Sequence, residues 1–347
     1  IMNQKALNAL EYPKIIEKLT DKASSYMGKQ LCKNLEPSTD LEEIRLMQIQ
    51  TKDALTRLFQ KGSVSFGSVK DIRGSLKRLE IGSSLGIQEI LAICALLENT
   101  SRVKAYSRKE RNDLPVDSLD GMFDALSPLT PLSAEIRRCI LSEDEFSDDA
   151  SPALHSVRRT IRNINDKIHG AMNSLLNSST TRSYLQDTVV TMRNGRYCLP
   201  VKAEYKGQVP GMIHDQSATG STLFIEPMSV VKLNNDLKEA FLKEQEAIEA
   251  VLAELSNLTA QYSDFLMDNY HILTNLDFIF AKANLAKIQN GMAPIFNTEG
   301  RIRIRQGRHP LLNPKKVVPI DVHLGDEFHL LIVTGPNTGG KTVSLKT

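Results

Sequence analysis

Thr188-Val189-Val190-Thr191-Met192-Arg193-Asn194-Gly195-Arg196-Tyr197-Cys198-Leu199-Pro200-Val201 is the stretch on which the fold turns. Two runs of β-favouring residues flank Asn194-Gly195, the dipeptide that best accepts the left-handed backbone of a two-residue hairpin turn. Val209 to His214 and Ser221 to Ile225 read as further strands about Ala218-Thr219-Gly220. On both sides the rhythm changes. Leu154, Val157, Ile161, Ile164, Ile168, Ala171 and Leu175 come before, at alternating spacings of three and four. Val230, Leu233, Leu237, Phe241, Ile248, Leu252, Leu255, Tyr262 and Phe265 follow in much the same way. Such spacing puts one apolar seam on each helix, the pattern of a two-helix coiled coil. The expected unit is a small antiparallel sheet over 180–227, held at the far end of antiparallel helices over 151–176 and 228–269.

Upstream, the chain reads as helices joined by short loops. Ser38-Thr39-Asp40 before Glu42-Glu43 marks a helix start, because a short polar side chain caps free N–H groups and acids suit the first turn. Ile87 to Tyr106 is a further helix, and the acidic 142–150 stretch reads as a loop or linker. The 347 residues are 41% hydrophobic and 24% charged, which is globular composition and excludes wholesale disorder. With 43 basic and 41 acidic residues the net charge is +2, so no whole-chain basic field announces a nucleic-acid binder. The longest apolar run, Ile90 to Leu97, is too short to span a bilayer. Cys32, Cys94, Cys139 and Cys198 are scattered without metal-ligand spacing, which suits free thiols in a reducing cytoplasm.

Chemistry is concentrated at the other end. His329-Leu330-Leu331-Ile332-Val333-Thr334 reads as a buried strand, and Gly335-Pro336-Asn337-Thr338-Gly339-Gly340-Lys341-Thr342 after it fits GxxxxGK[ST]. Glycines let backbone N–H groups curl around phosphates, Lys341 reaches the β- and γ-phosphates, and the Thr342 hydroxyl holds Mg²⁺. The expected cofactors are ATP and Mg²⁺, with Lys341 and Thr342 as the catalytic pair. The sequence runs only five residues past Thr342, so it reads as a fragment with no ATP turnover of its own.

Extended by Thr334 and Val343, this segment resembles the Walker A segment of the MutS family, and Arg308-His309-Pro310 resembles the element that opens that family's ATPase domain. Thr342-Val343, Leu10-Glu11-Tyr12, Asp71-Ile72-Arg73 and Phe224-Ile225-Glu226-Pro227 point to its second bacterial branch, MutS-two. The resemblance covers essentially the whole chain. It implies a mainly α fold with a small antiparallel β clamp and the first part of an α/β P-loop ATPase domain. In order these are a helical core over 2–150, a lever arm over 151–179, the clamp over 180–227, a second lever and return to the core over 228–290, and the ATPase start over 300–347. It implies an ATP-dependent clamp, homodimeric at full length, acting on branched DNA, on stalled and collided ribosomes through rRNA, or on both. Mismatched-DNA binding and ATP-dependent damage sensing belong to the wider family. Nuclease action is implied for a C-terminal small MutS-related domain that this sequence does not contain.

Smaller signals are ambiguous. Arg193, Arg196, Lys202 and Lys206 are the candidate nucleic-acid contacts of the clamp, yet Asp187, Glu204, Asp215 and Glu226 nearly cancel them. Arg137-Arg138, Arg158-Arg159 and Arg162 read as a solvated helix face, with phosphate contact second. Arg301, Arg303 and Arg305 share a strand face; His309 reads as structural; Phe224-Ile225-Glu226 reads as a strand end, not a base wedge. Two alternatives stay open at this point: a nucleotide-independent DNA- or ribosome-binding module, and an unrelated coiled-coil ATPase of the SMC or RecN kind.

Overall fold

The computed structural model describes residues 3–67, 69–108, 115–336 and 339–347. It is mainly helical, with small antiparallel sheets. The chain divides into two compact units: an arm unit of Ile81–Leu91 and Ala134–Thr259, and a body unit of Ile1–Glu80, Ala92–Ser133 and Ala260–Thr347.

In the arm unit the first long helix is Pro152–Asn177. Ser151 starts it by accepting from the Leu154 N–H at 3.1 Å, with Pro152 at the first position, where a missing N–H costs nothing. The acidic stretch before it is no linker. Ile140–Ser142 (β1) pairs with Glu145–Phe146 (β2), and Asp148 binds Arg158 at 2.8 Å and Arg162 at 2.9 Å. Opposite charge one helical turn apart draws the stretch onto the helix that follows.

A four-stranded antiparallel sheet comes next, in the order Thr191–Arg193 (β3), Arg196–Lys202 (β4), Thr222–Pro227 (β6), Gly211–Gln216 (β5). Asn194 (φ 51°) and Gly195 (φ 73°) both take the left-handed conformation that the hairpin requires. The first strand is shorter than expected. Residues 188–190 stay out of the ladder because the chain already bonds to the far end of β4, where Gln186 N–H donates to the Pro200 carbonyl at 2.9 Å. Leu199, Val201, Leu223 and Ile225 share one core with Ile161, Ile164, Ile168 and Met172 of the first arm and Val230 and Leu237 of the second. The sheet therefore packs along the arms, against 161–172 of the first and 230–240 of the second.

The second arm is Met228–Ala260, and it corrects the expected seam. Phe241 is 44% exposed and Phe265 51%, while Asn234, Ala240, Ala247 and Val251 are buried. The sheet lies against this helix, so small and polar side chains face it and Phe241 turns out. The helix also ends earlier than expected. A two-residue turn at 261–262 separates it from Ser263–Gln289, where one helix to 269 had been expected.

Ser263–Gln289 is the spine of the body unit, burying Leu266, Tyr270, Leu273, Leu276, Ile279 and Phe280. Leu41–Lys61 packs beside it and starts at Asp40, whose Oδ1 accepts from the N–H groups of Glu42 (3.0 Å) and Glu43 (3.1 Å). On its other flank, buried Asp277 accepts from the N–H groups of Ser24 and Ser25 and from both hydroxyls. That fixes the start of helix Tyr26–Lys33. Gly28 of that helix is necessary, since a Cβ there would stand 2.3 Å from Asp277 Oδ2. Among the described residues no helix is long and apolar enough to cross a membrane.

Near the end, Ile302–Gly307 (β7) pairs with Ile320–Leu324 (β8). The 329–334 run forms no ladder, and Leu330 and Ile332 are each 75% exposed. A strand is defined by its neighbours' hydrogen bonds. No described residue pairs with this run, so the apolar pattern alone does not make it a strand.

Candidate functional site

The glycine-rich turn begins at Gly335, with φ 135°. Gly340 (φ 82°) caps the helix Lys341–Lys346 in the left-handed conformation. Both φ values lie where glycine is favoured, and no heavy atom stands within 4 Å of a Cβ built on either. The first N–H to bond back along the helix is that of Ser344, to the Gly340 carbonyl at 2.9 Å. The N–H groups of Lys341, Thr342 and Val343 therefore have no helical acceptor, and they form a donor set suited to phosphate oxygens. Lys341 is half-buried and makes no ion pair with a described residue, and Thr342 is exposed. Pro336 and Gly339 bound the turn, where the Gly339 N–H reaches the Pro336 carbonyl at 3.0 Å. Asn337 and Thr338 lie outside the described residues.

The far end of this short helix is tied to the start of the chain. Lys346 Nζ lies 3.0 Å from Glu11 Oε2. Hydrogen bonds from Lys14 and then Lys346 pull the Glu11 carboxyl down to about 2. His309, buried, accepts from the Leu311 N–H at 3.2 Å through Nδ1 and so closes a turn.

Arg193, Arg196 and Lys202 lie on strands of the sheet, Lys206 follows the short turn Ala203–Tyr205 beyond it, and both arginines are already engaged. Arg193 pairs with Asp215 at 3.3 Å and lies 4.0 Å over the Phe224 ring. Arg196 donates to Glu226 Oε1 at 2.7 Å. Lys202 sits 5.9 Å over the Tyr205 ring, and Lys206 is exposed. The register explains the grouping: Arg193 faces Arg196 across the hairpin, and Asp215 faces Phe224 across the bulge at 213–215.

Glu226 is the residue that sequence reading missed. It is 0% exposed and accepts from Arg196 and from Asn234 Nδ2 at 2.8 Å, with His214 Nε2 2.5 Å away. Burial pushes its carboxyl up, but the bonds from Asn234, His214 and Arg196 together hold it below the usual carboxylate range. Asn234 also brackets the Tyr197 backbone, so this network pins the second arm to the hairpin. The only local signal was an acid late in an apolar strand, which looks identical to an exposed strand end. On the first arm, Arg158 is likewise spent internally, on Glu244 at 2.7 Å as well as on Asp148.

No protein-family model matches the chain. It is 59% identical over 346 residues to "Endonuclease MutS2" of Agathobacter rectalis, covering 100% of this chain and 44% of that protein. Identity is 56% over 351 residues to "Endonuclease MutS2" of Lachnoclostridium phytofermentans, again 100% of this chain and 44% of the relative. For the protein of that name in Clostridioides difficile it is 41% over 347 residues, with the same coverage. The chain thus spans less than half the length of the curated relatives it matches. Homology along the whole chain leaves no room for the SMC or RecN alternative.

Proposed function

This chain belongs to the MutS-two branch of the MutS family, and on that premise we propose that it is the core, lever and clamp part of an ATP-dependent nucleic-acid clamp. The proposed substrates are branched DNA, as in suppression of recombination, and stalled or collided ribosomes. The glycine turn into Lys341–Lys346, with Lys341 in no ion pair with a described residue and the first three N–H groups without an acceptor inside the helix, is the observation that carries the reading. ATP, when bound, would supply the β–γ phosphoanhydride bond whose hydrolysis switches the clamp. The backbone N–H groups cradle its phosphates, Lys341 neutralises charge on the β- and γ-oxygens, and Thr342 offers a hydroxyl to Mg²⁺. We further propose that the full-length protein is a homodimer, and that the nuclease activity in its relatives' name resides in length beyond these residues.

The arginines suggest how the clamp works. With Arg193 and Arg196 held by sheet carboxylates, direct phosphate contact falls mainly to Lys202 and Lys206, so binding by the sheet alone is weak and salt-sensitive. The test is ATPase rate and ATP-dependent release from four-way junctions and ribosomes, for the full-length protein and Lys341→Ala. Turnover should fall by about a hundredfold or more, and substrate affinity without nucleotide should survive. Unchanged turnover in Lys341→Ala would remove the nucleotide assignment.

A further inference from the structure

The body unit holds a cavity of about 410 Å³ remote from the glycine turn in sequence, and the proposed clamp cycle makes no use of it. Its walls come from helices Tyr12–Thr20, Leu41–Lys61 and Ser263–Gln289, with Gly291 to Pro294 along the rim. They are mostly apolar, and Ile16, Leu19, Met47, Leu55 and Leu285 are representative. Two polar groups on the wall are already satisfied: the Tyr12 hydroxyl donates to the Leu35 carbonyl at 2.7 Å, and that of Thr51 to Met47 at 2.8 Å. The charged lining residues are Lys52 and Lys282, and no acid is among them.

Lys282 is the unexplained group. It is half-buried, its Nζ lies 4.4 Å over the Phe278 ring, and it makes no hydrogen bond or ion pair to a described residue. Burial pulls its amine down to about 8, and burial holds the neighbouring Cys32 thiol neutral, up at about 12. At neutral pH an ammonium with no counter-charge among the described residues therefore belongs to a side chain in the wall of an apolar cavity, an arrangement that is costly unless an anion completes it. The size falls within the range of small-molecule sites.

We propose that this cavity binds a small amphipathic monocarboxylate of medium-chain acyl size, its apolar tail between helices Tyr12–Thr20 and Leu41–Lys61 and its carboxylate on Lys282 Nζ. Charge complementarity selects a carboxylate over an alcohol or an amine, and the apolar walls select the tail.

Calorimetric titration of the full-length protein with hexanoate, octanoate and decanoate, below micelle formation, tests it. Affinity should rise about fourfold per added methylene. Decan-1-ol should bind about tenfold more weakly than decanoate, and decylammonium more weakly still. Lys282→Met should weaken decanoate about tenfold while leaving decanol unchanged, which shows that the cavity is still folded. Lys282→Arg should retain decanoate within a few-fold. No binding of decanoate at millimolar concentration, equal binding by Lys282→Met, or binding that appears in the 347-residue chain but not in the full-length protein would each overturn the proposal. The last result would mean that the remaining chain covers the cavity.

Discussion

Among the described residues each unit of this molecule seals one carboxylate away from water, and the two are satisfied by different chemistry. In the arm unit Glu226, 0% exposed, is held by a guanidinium, an amide and an imidazole. In the body unit Asp277, 2% exposed, is held by two backbone N–H groups and two hydroxyls. Glu226 has a counter-charge on a neighbouring strand, so its network joins sheet to helix. Asp277 has only dipoles, concentrated at a helix start, so it works as a cap supplied from 252 residues away. Burying a charge is tolerated either way, provided every lone pair is met. The ion-paired version costs more to assemble, because Arg196 must be desolvated too.

The largest effect should come from Asp277→Ala. It strips the acceptor from Ser24 and Ser25 at once and leaves buried donors unmet, so the body unit should lose about 3 kcal/mol in denaturant unfolding. A loss below about 1 kcal/mol would mean that water replaces the carboxylate and the cap is dispensable. Gly28→Ala attacks the same contact from the other side and should be destabilising in the same unit.

Next comes Glu226→Gln, which keeps the shape and removes the charge. Arg196 then faces a neutral partner, and the arm unit should lose about 2 kcal/mol, read as reduced amide protection in Arg196–Lys202 and Thr222–Pro227. Equal protection in variant and parent would reduce the ion pair to a solvated contact.

Acid sharpens the contrast further. Glu226 has a folded-state pKa below its unfolded value, so its stabilisation is present above about pH 4.3, the unfolded value. It is lost as pH falls through the lower folded value. Amide protection of the sheet should therefore fall as pH drops below about 4 in the parent, and the fall should be shallower in Glu226→Gln. Parallel acid curves for the two proteins would assign the transition to other carboxylates.

The smallest effect should be that of Arg193→Ala. Its pair with Asp215 is partly exposed at 3.3 Å, and the ring contact with Phe224 adds little, so about 0.5 kcal/mol is expected. A loss above 2 kcal/mol would place Arg193 in the same buried network as Arg196.

Local hydrogen bonding and periodicity are recorded within a few residues of sequence. The Asn194-Gly195 turn, the Ser151 and Asp40 helix starts, the seam of the first arm and the glycine turn before Lys341 were legible for that reason. Two apolar runs then parted company. Residues of β6 found partners on both sides, whereas 329–334 found none among the described residues, and apolar content alone does not foretell which run pairs. The buried face of the second arm, the Glu226 network, the Asp277 cap and the Lys282 cavity belong to the tertiary structure alone. Each joins residues that are distant in sequence, and burial converts an ordinary polar side chain into one whose partners must be supplied. Pattern in the chain determined which segments become helix or hairpin; only the packing of those segments decided which charges are enclosed and what has to meet them.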